Sequence, residues 1–429
     1  MFYLIYNILW LVLFVPVLLF NLYRSIKLGW PLALAERFGR IPRPDLAKLG
    51  KRPVIWLHAV SVGEAIAARP LLRALRSRYP DHAFVVSSTT ETGKTMAAGF
   101  SEPDLCIYFP FDFLPAVRRV LADVRPRLII IMETEIWPNF TREAARRSIP
   151  LLLANGRISD RSFKRYLRFR WFFSHALQLF STLCMQSETV RGRIIAIGAH
   201  PERVVVAGNL KYDIPFHRIS EAEKAALRRR FNIPDELIVI TAGSTHPGEE
   251  ELILYAYRDL LVQYDHLLLI LAPRHPQRKP EITALLERTG MRFRCRTELE
   301  TPGAGPFRSG EVLLLDTVGE LMTQYALADL ALVGGSLMPI GGHNLLEPAS
   351  VGVPSIFGPH MSNFREIAAL VLTYDAGLQF ATTQHLAGTL QSLIDDPDQR
   401  RRLGQNGLRM MRENGGATER HLEFIARYL

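Results

Sequence analysis

The sequence predicts an α/β chain folded as two successive domains, each an open parallel sheet covered by helices. Three observations carry this. At 429 residues the chain is too long for one core. Its strand candidates are apolar throughout, as strands buried on both faces must be. Those runs alternate with helical patterns, the βαβ order of a parallel sheet. Open α/β domains take ligands outside the carboxyl ends of their strands, so two of them facing one another imply a central cleft.

Residues 1–23, MFYLIYNILWLVLFVPVLLFNLY, carry no charged side chain. About 22 helical residues at roughly 1.5 Å each cover the hydrocarbon core of a bilayer. A secretory signal is the competing reading, with Ala33-Leu34-Ala35 resembling a cleavage site. Such a signal carries its positive charge before the apolar core, however, whereas Arg24 and Lys27 follow it here. That order favours an uncleaved N-terminal membrane anchor with the remaining chain on the cytoplasmic side. Pro16 and Asn21 weaken a strict span and leave a half-inserted helix as an alternative. Between Arg24 and Arg52 stand eight Lys or Arg against Glu36 and Asp45, so six of the ten excess positive charges lie there. Their place beside an apolar segment points to an anionic membrane surface, not to nucleic acid.

Domain one is expected over 24–212. Its strands are 53–60, 83–89, 128–133, 150–156, 182–187 and 204–209, with helices over 64–79 and 92–100. A linker over 213–235 leads to domain two, 236–429, with strands at 237–244, 266–274, 311–317, 330–336 and 354–359. The final helix, from about Gln399, is a candidate to pack back on the first domain. The three cysteines, Cys106, Cys184 and Cys295, form no CxxC pair, so neither a metal cluster nor a disulfide framework is expected.

The segment 328–360 is the most informative. An apolar strand runs into Gly334-Gly335-Ser336, and Gly341-Gly342 leads to His343-Asn344-Leu345-Leu346-Glu347, a helix start. Strand, glycine loop and helix N-terminus form an anion site, with free N–H groups aimed at a phosphate. The competing reading is a turn capped by Asn344 with Glu347 as its capping-box partner. Ser61-Val62-Gly63-Glu64 likewise reads two ways: a capping box, or a general base at the sheet's carboxyl edge. Glu133 and Glu135 end an apolar strand at i and i+2 and would face the same way; a structural salt bridge is the alternative. Lys211, after Gly208-Asn209-Leu210, is either a solvated linker lysine or a cation reaching a phosphate. Pro273-Arg274-His275, Ser244-Thr245-His246 and the segment Asp316 to Leu321 place donors on the same edge as the glycine loop. No HExxH, DxD, P-loop or GxSxG pattern occurs near these sites. The stretch 161–173 sets five basic residues among six aromatics, as in a helix lying on anionic lipid or one packing its aromatics inward.

Together these segments resemble the 3-deoxy-D-manno-octulosonic acid (Kdo) transferases of lipopolysaccharide assembly. The blocks HAVSVGE, METEIWPN, NGRIS, GNLKYD, GSTHPGEEE, APRHP, DTVGEL and VGGSLMPIGGHNLLEPA stand in the family's order. Leu345 and Pro247 depart from it, where the family often has Pro and Glu. The resemblance implies a GT-B glycosyltransferase of two Rossmann-like domains that moves Kdo from CMP-Kdo to the tetraacyldisaccharide bisphosphate lipid A precursor, with inversion and without cofactor or metal. It implies Glu64 as general base and Glu133 and Lys211 as transition-state stabilisers. It also implies CMP contacts at Pro273, Arg274, Val318, Gly319, Glu320, Asn344, Leu345, Leu346 and Glu347. The anchor and basic patches would then serve an inner-membrane enzyme whose acceptor is itself a lipid. A GT-B enzyme using another nucleotide sugar, and a non-catalytic membrane-bound sensor of nucleotide or lipid, are the alternatives.

Overall fold

The computed structural model describes residues 2–28, 32–213, 219–300 and 305–429. The chain forms two compact units, Met1–Asp213 with Asn414–Leu429, and Ile214–Glu413. Residues 214–218 of the expected linker, Met1 of the expected anchor and residues 29–31 of the basic stretch lie outside the described residues.

The first unit is built on seven parallel strands: β1 (Val54–His58), β2 (Ala83–Ser88), β3 (Leu105–Tyr108), β4 (Pro126–Met132), β5 (Leu151–Gly156), β6 (Thr182–Met185) and β7 (Val204–Val206). Their order is β3-β2-β1-β4-β5-β6-β7. Val54, Trp56, Ile129 and Ile131 enter the core on one face of the sheet, while Ile55, Leu57, Leu128 and Ile130 enter the core on the other. Successive residues of one strand thus serve two different cores, which is why these runs are apolar throughout. Ile130 is fully buried, and cutting it to alanine would cost about 2–5 kcal/mol.

The last helix, Ala417–Ile425, belongs to this unit. Ala417, Leu422 and Ile425 are buried against the β1–β4 core, and Asp213 accepts the Gly416 and Thr418 N–H groups at 2.7 and 2.5 Å, capping the helix start. His421 Nε2 takes the Asn155 N–H at 3.0 Å, which fixes that nitrogen as an acceptor.

Among the described residues no helix is long and apolar enough to cross a membrane, so a spanning anchor over 1–23 is not shown. What the structure has there is a helix, Phe2–Leu28, docked on the first unit. Its contacts fall on one stripe. Tyr6 donates to Asp112 Oδ2 at 2.7 Å, and Asn7 and Asn139 exchange amide hydrogen bonds at 3.2 and 2.9 Å. Trp10 stacks on Phe113, and Phe14 meets Phe38 and Phe111 edge to face. Ile5, Ile8, Leu11, Val12 and Leu19 are exposed. The basic aromatic stretch is not one helix but two, Asp160–Arg168 and Arg170–Leu177, meeting at Phe169. Phe163, Tyr166 and Phe173 pack inward, as the second reading expects, while Leu167, Phe169 and Trp171 stay exposed.

The second unit repeats the plan with β8 (Ile238–Thr245), β9 (Leu267–Pro273), β10 (Phe293–Cys295), β11 (Val312–Leu314), β12 (Leu330–Val333), β13 (Ser355–Phe357) and β14 (Gly377–Gln379). They lie parallel in the order β10-β11-β9-β8-β12-β13-β14. Strands β9, β8 and β12 are neighbours, so the loops after Pro273, Thr245 and Val333 leave one edge side by side.

Candidate active site

In the first unit, Glu64 sits in the opening turn of the helix Val62–Arg78. Ser61 Oγ accepts the Glu64 N–H at 3.4 Å and donates to Glu64 Oε1 at 3.1 Å. The other carboxylate oxygen takes the Val60 N–H at 2.9 Å. The capping geometry is therefore real, with the return bond going to Val60 instead of Ser61. It coexists with an unusual proton affinity: burial, reinforced by the charges of Glu133 and Glu135, pushes the Glu64 pKa up to about 7 against the pull of the Val60 N–H. A capping carboxylate with that pKa is also a base poised for neutral pH.

Glu133 follows β4 in a left-handed conformation, φ 55°, its N–H held by Ala154 O at 2.9 Å. A non-glycine residue in that region is uncommon and costly. Strand β4 ends at Met132, so Glu133 and Glu135 lie on a turn; the i, i+2 argument does not apply, but their charges still interact. Burial first, then Glu133, raises the Glu135 pKa. Lys211 Nζ stands 3.5 Å from Glu133 Oε1.

Two residues absent from the sequence-based candidates place that lysine. Asn209 caps the short turn Leu210–Tyr212 by accepting the Lys211 N–H at 3.0 Å, and Asn155, at the end of β5 with φ 56°, accepts the Leu210 N–H at 2.9 Å. The available signal was an Asn at the end of an apolar strand, where a buried amide needs a reason. His58, in the HAVSVGE block, is buried against Phe109 with its pKa pushed down to about 3, so it stays neutral and structural.

The second unit corrects the reading of the glycine-rich segment. The N–H groups of Gly334, Gly335, Leu337, Gly341 and Gly342 are not free. Glu249, fully buried, accepts from Gly335, Leu337, Met338 and His246 at 2.7, 2.9, 3.4 and 2.9 Å. Gly334 donates to Gly243 O, and Gly341 and Gly342 both donate to Gly335 O. The chain's own carboxylate thus takes up the N–H groups at the Gly335 end of the loop, the place expected for a phosphate. The helix beyond is a five-residue turn, Leu346–Ser350, too short for much of a dipole, and Asn344 Oδ1 accepts its Leu346 N–H at 3.2 Å.

What remains on this edge is side-chain chemistry. Arg274 is exposed beyond β9, its N–H fixed on Thr245 O at 3.0 Å. Glu347 is half-buried, and burial raises its pKa while the charge of Arg274 and a hydrogen bond from Asn344 oppose the rise. Pro273 closes β9. Val318 is 82% exposed, Gly319 has φ 88°, and Glu320 is tied to Arg296 at 3.0 Å. Leu345 and Leu346 are fully buried, so only their backbone is available to a ligand. Glu64, Glu133 and Lys211 thus cluster on the first unit, and Pro273, Arg274, Asn344 and Glu347 share the edge of the second.

A family model described as 3-Deoxy-D-manno-octulosonic-acid transferase (kdotransferase) matches residues 33–214. A 3-deoxy-D-manno-octulosonic acid transferase of Haemophilus influenzae is 36% identical over 398 residues, covering 92% of this chain and 91% of that protein. The crystal structure of the C-terminal CMP-Kdo binding domain of WaaA from Acinetobacter baumannii is 30% identical, covering 44% of this chain and 96% of that one, with a TM-score of 0.40. UDP-GlcNAc 2-epimerase from Neisseria meningitidis, bound to UDP-GlcNAc, is 15% identical with a TM-score of 0.51, covering 87% of this chain and 100% of that one; this is likeness of fold alone.

Proposed function

The chain belongs to the 3-deoxy-D-manno-octulosonic acid transferase family and is a glycosyltransferase of lipopolysaccharide biosynthesis, and we propose that it moves Kdo from CMP-Kdo to the tetraacyldisaccharide bisphosphate precursor of lipid A. In this reading the reaction is one displacement with inversion and needs no metal. The acceptor hydroxyl attacks the anomeric carbon, its proton passes to Glu64, and the bond to the CMP phosphate breaks. Lys211, positioned by Asn155 and Asn209, offsets negative charge developing on the departing nucleotide, a task for a fixed cation in a site poor in water. Glu133 holds Lys211 in place. On the second unit, Pro273-Arg274, Val318-Gly319-Glu320 and Asn344 to Glu347 bind the CMP moiety, Leu345 and Leu346 through their backbone.

The observation that carries this reading is a carboxyl at the sheet edge with a pKa of about 7, next to a paired carboxylate and lysine. Such a group accepts a proton from a hydroxyl and returns it to water at neutral pH. We place the enzyme on the cytoplasmic side of the inner membrane. The apolar face of Phe2–Leu28 and the exposed Leu167, Phe169 and Trp171 amid basic residues support a lipid surface as partner. The test is to incubate the protein with CMP-Kdo and the tetraacyl precursor and to weigh the product. A gain of one or more Kdo masses supports the reading; CMP release without a lipid product contradicts the acceptor, and turnover of a UDP-sugar in place of CMP-Kdo contradicts the donor.

A further inference from the structure

Three adjacent parallel strands of the second unit each lead to a histidine at the carboxyl edge: His246 after β8, His275 after β9, and His343 in the loop after β12. None has a role in the chemistry above. His246 Nε2 and His343 Nε2 are 2.8 Å apart, and the two rings lie within 7° of parallel. A hydrogen bond between two Nε2 atoms requires one ring to donate and the other to accept, so the two imidazoles hold complementary tautomers. The pair has room for one additional proton, on the Nδ1 left over by the donating ring. It has no room for two, because a second would set two N–H groups against each other.

The pair is held rigidly. The His246 N–H is bonded to buried Glu249, and the His343 ring lies so close over Gly335 that a Cβ there would come within 2.9 Å of Cδ2. Among the described residues, no three His, Cys, Asp or Glu side chains are grouped as a metal site, so these histidines are not arranged as a ligand set.

The charges around the pair leave it short of a counter-anion. Glu249 is engaged by four backbone N–H groups, and Glu250 by Thr245 and a two-point ion pair with Arg278 at 2.7 and 3.2 Å. Arg274 adds positive charge, and half-buried Glu347 faces Arg274. Burial, His246, Arg274 and His275 push the His343 pKa down to about 4, and burial lowers that of His246 as well. The free pair is therefore neutral at neutral pH. An anion brought alongside would reverse the balance, because it favours the charged form of a nearby base.

We propose that His246 and His343 form a proton-sharing clamp for the phosphodiester of the nucleotide-sugar donor, taking up one proton as the donor binds. The clamp supplies the positive site that the glycine loop, filled by Glu249, does not. It rests on the nucleotide-sugar reading above, and its test separates the two. Cytidine 5′-methylphosphate is the probe, since its single negative charge matches the donor's phosphodiester and does not titrate near neutrality. Binding to the full-length protein in detergent is followed by calorimetry, in buffers of different ionisation enthalpy, from pH about 6 to about 8.

The expected result is proton uptake approaching one per bound probe, with affinity falling up to about tenfold per pH unit. His246→Gln and His343→Gln should bind more weakly and lose the slope, while His275→Gln, outside the shared bond, keeps it. Binding by wild type with no slope and no proton uptake overturns the clamp and leaves the nucleotide reading standing. No binding at any pH by protein of normal thermal stability overturns both. Should the Gln variants fail to fold, wild-type proton uptake alone decides.

Discussion

At the carboxyl edge of the first sheet, Glu133 and Glu135 stand close enough to Glu64 to raise its proton affinity, and Glu133 adds to the rise at Glu135. At the corresponding edge of the second, the two fully buried acids are matched, Glu249 by backbone N–H groups and Glu250 by Arg278, and half-buried Glu347 stands opposite the charge of Arg274. Two seven-stranded parallel sheets therefore differ in the electrostatics of their carboxyl edges. In the proposed function, the first edge takes a proton from a hydroxyl and the second holds the anionic donor. The division follows from a few residues in the loops after parallel strands, not from the sheets, which confirms how little of such chemistry a fold dictates.

The largest effect that would break this contrast comes from Glu64→Gln, which keeps the capping shape without a base. Turnover should fall about a hundredfold to ten-thousandfold in a single-turnover assay, with a near-normal melt. The stability profile should change as well. Burial raises the folded-state pKa of Glu64, so its contribution is fully present below the ordinary carboxylate value of 4.5 and is lost as pH rises through about 7. The Gln variant should lack that decline in a comparison of melts across this range.

On the second unit, Glu249→Gln should leave buried N–H groups unpaired and cost about 2–4 kcal/mol in denaturant unfolding. Deleting residues 1–23 comes next. The apolar composition of that segment suggests an appendage, but Tyr6, Asn7, Trp10 and Phe14 cover Asp112, Asn139, Phe111, Phe113 and Phe38. The truncated protein should lose about 2 kcal/mol or more and melt a few degrees lower by calorimetry. Least in size, Arg274→Ala and Glu347→Ala should each weaken CMP binding about tenfold by calorimetry, the effect of one charged contact. Leu345→Ala, fully buried, should lower the melting temperature instead.

Every central strand of both sheets was legible as an apolar run, because a strand buried on both faces leaves that pattern. The three strands that sequence reading passed over, β3, β10 and β14, are all sheet edges of three or four residues. Short, partly exposed edges leave no such run. At the site, the carboxylates and lysine were readable as residue types at strand ends. The glycine loop misled because the residue that fills it, Glu249, lies 86 positions from Gly335 in the chain. The role of Asn155 stayed hidden for the same reason, since its bond to the Leu210 N–H spans 55 residues, whereas the Asn209 cap on Lys211 is local. The Nε2 bond between His246 and His343 spans 97 residues and leaves no trace in local pattern.

The most direct test of the central claim is the pH dependence of kcat/KM for Kdo transfer, with Glu64→Gln as reference. If Glu64 is the base, the wild-type rate rises about tenfold per pH unit on the acid side, levels near pH about 7, and the Gln variant shows no such limb. A wild-type rate already flat from well below that pH, or a Gln variant that keeps the wild-type profile, would assign the proton to another group.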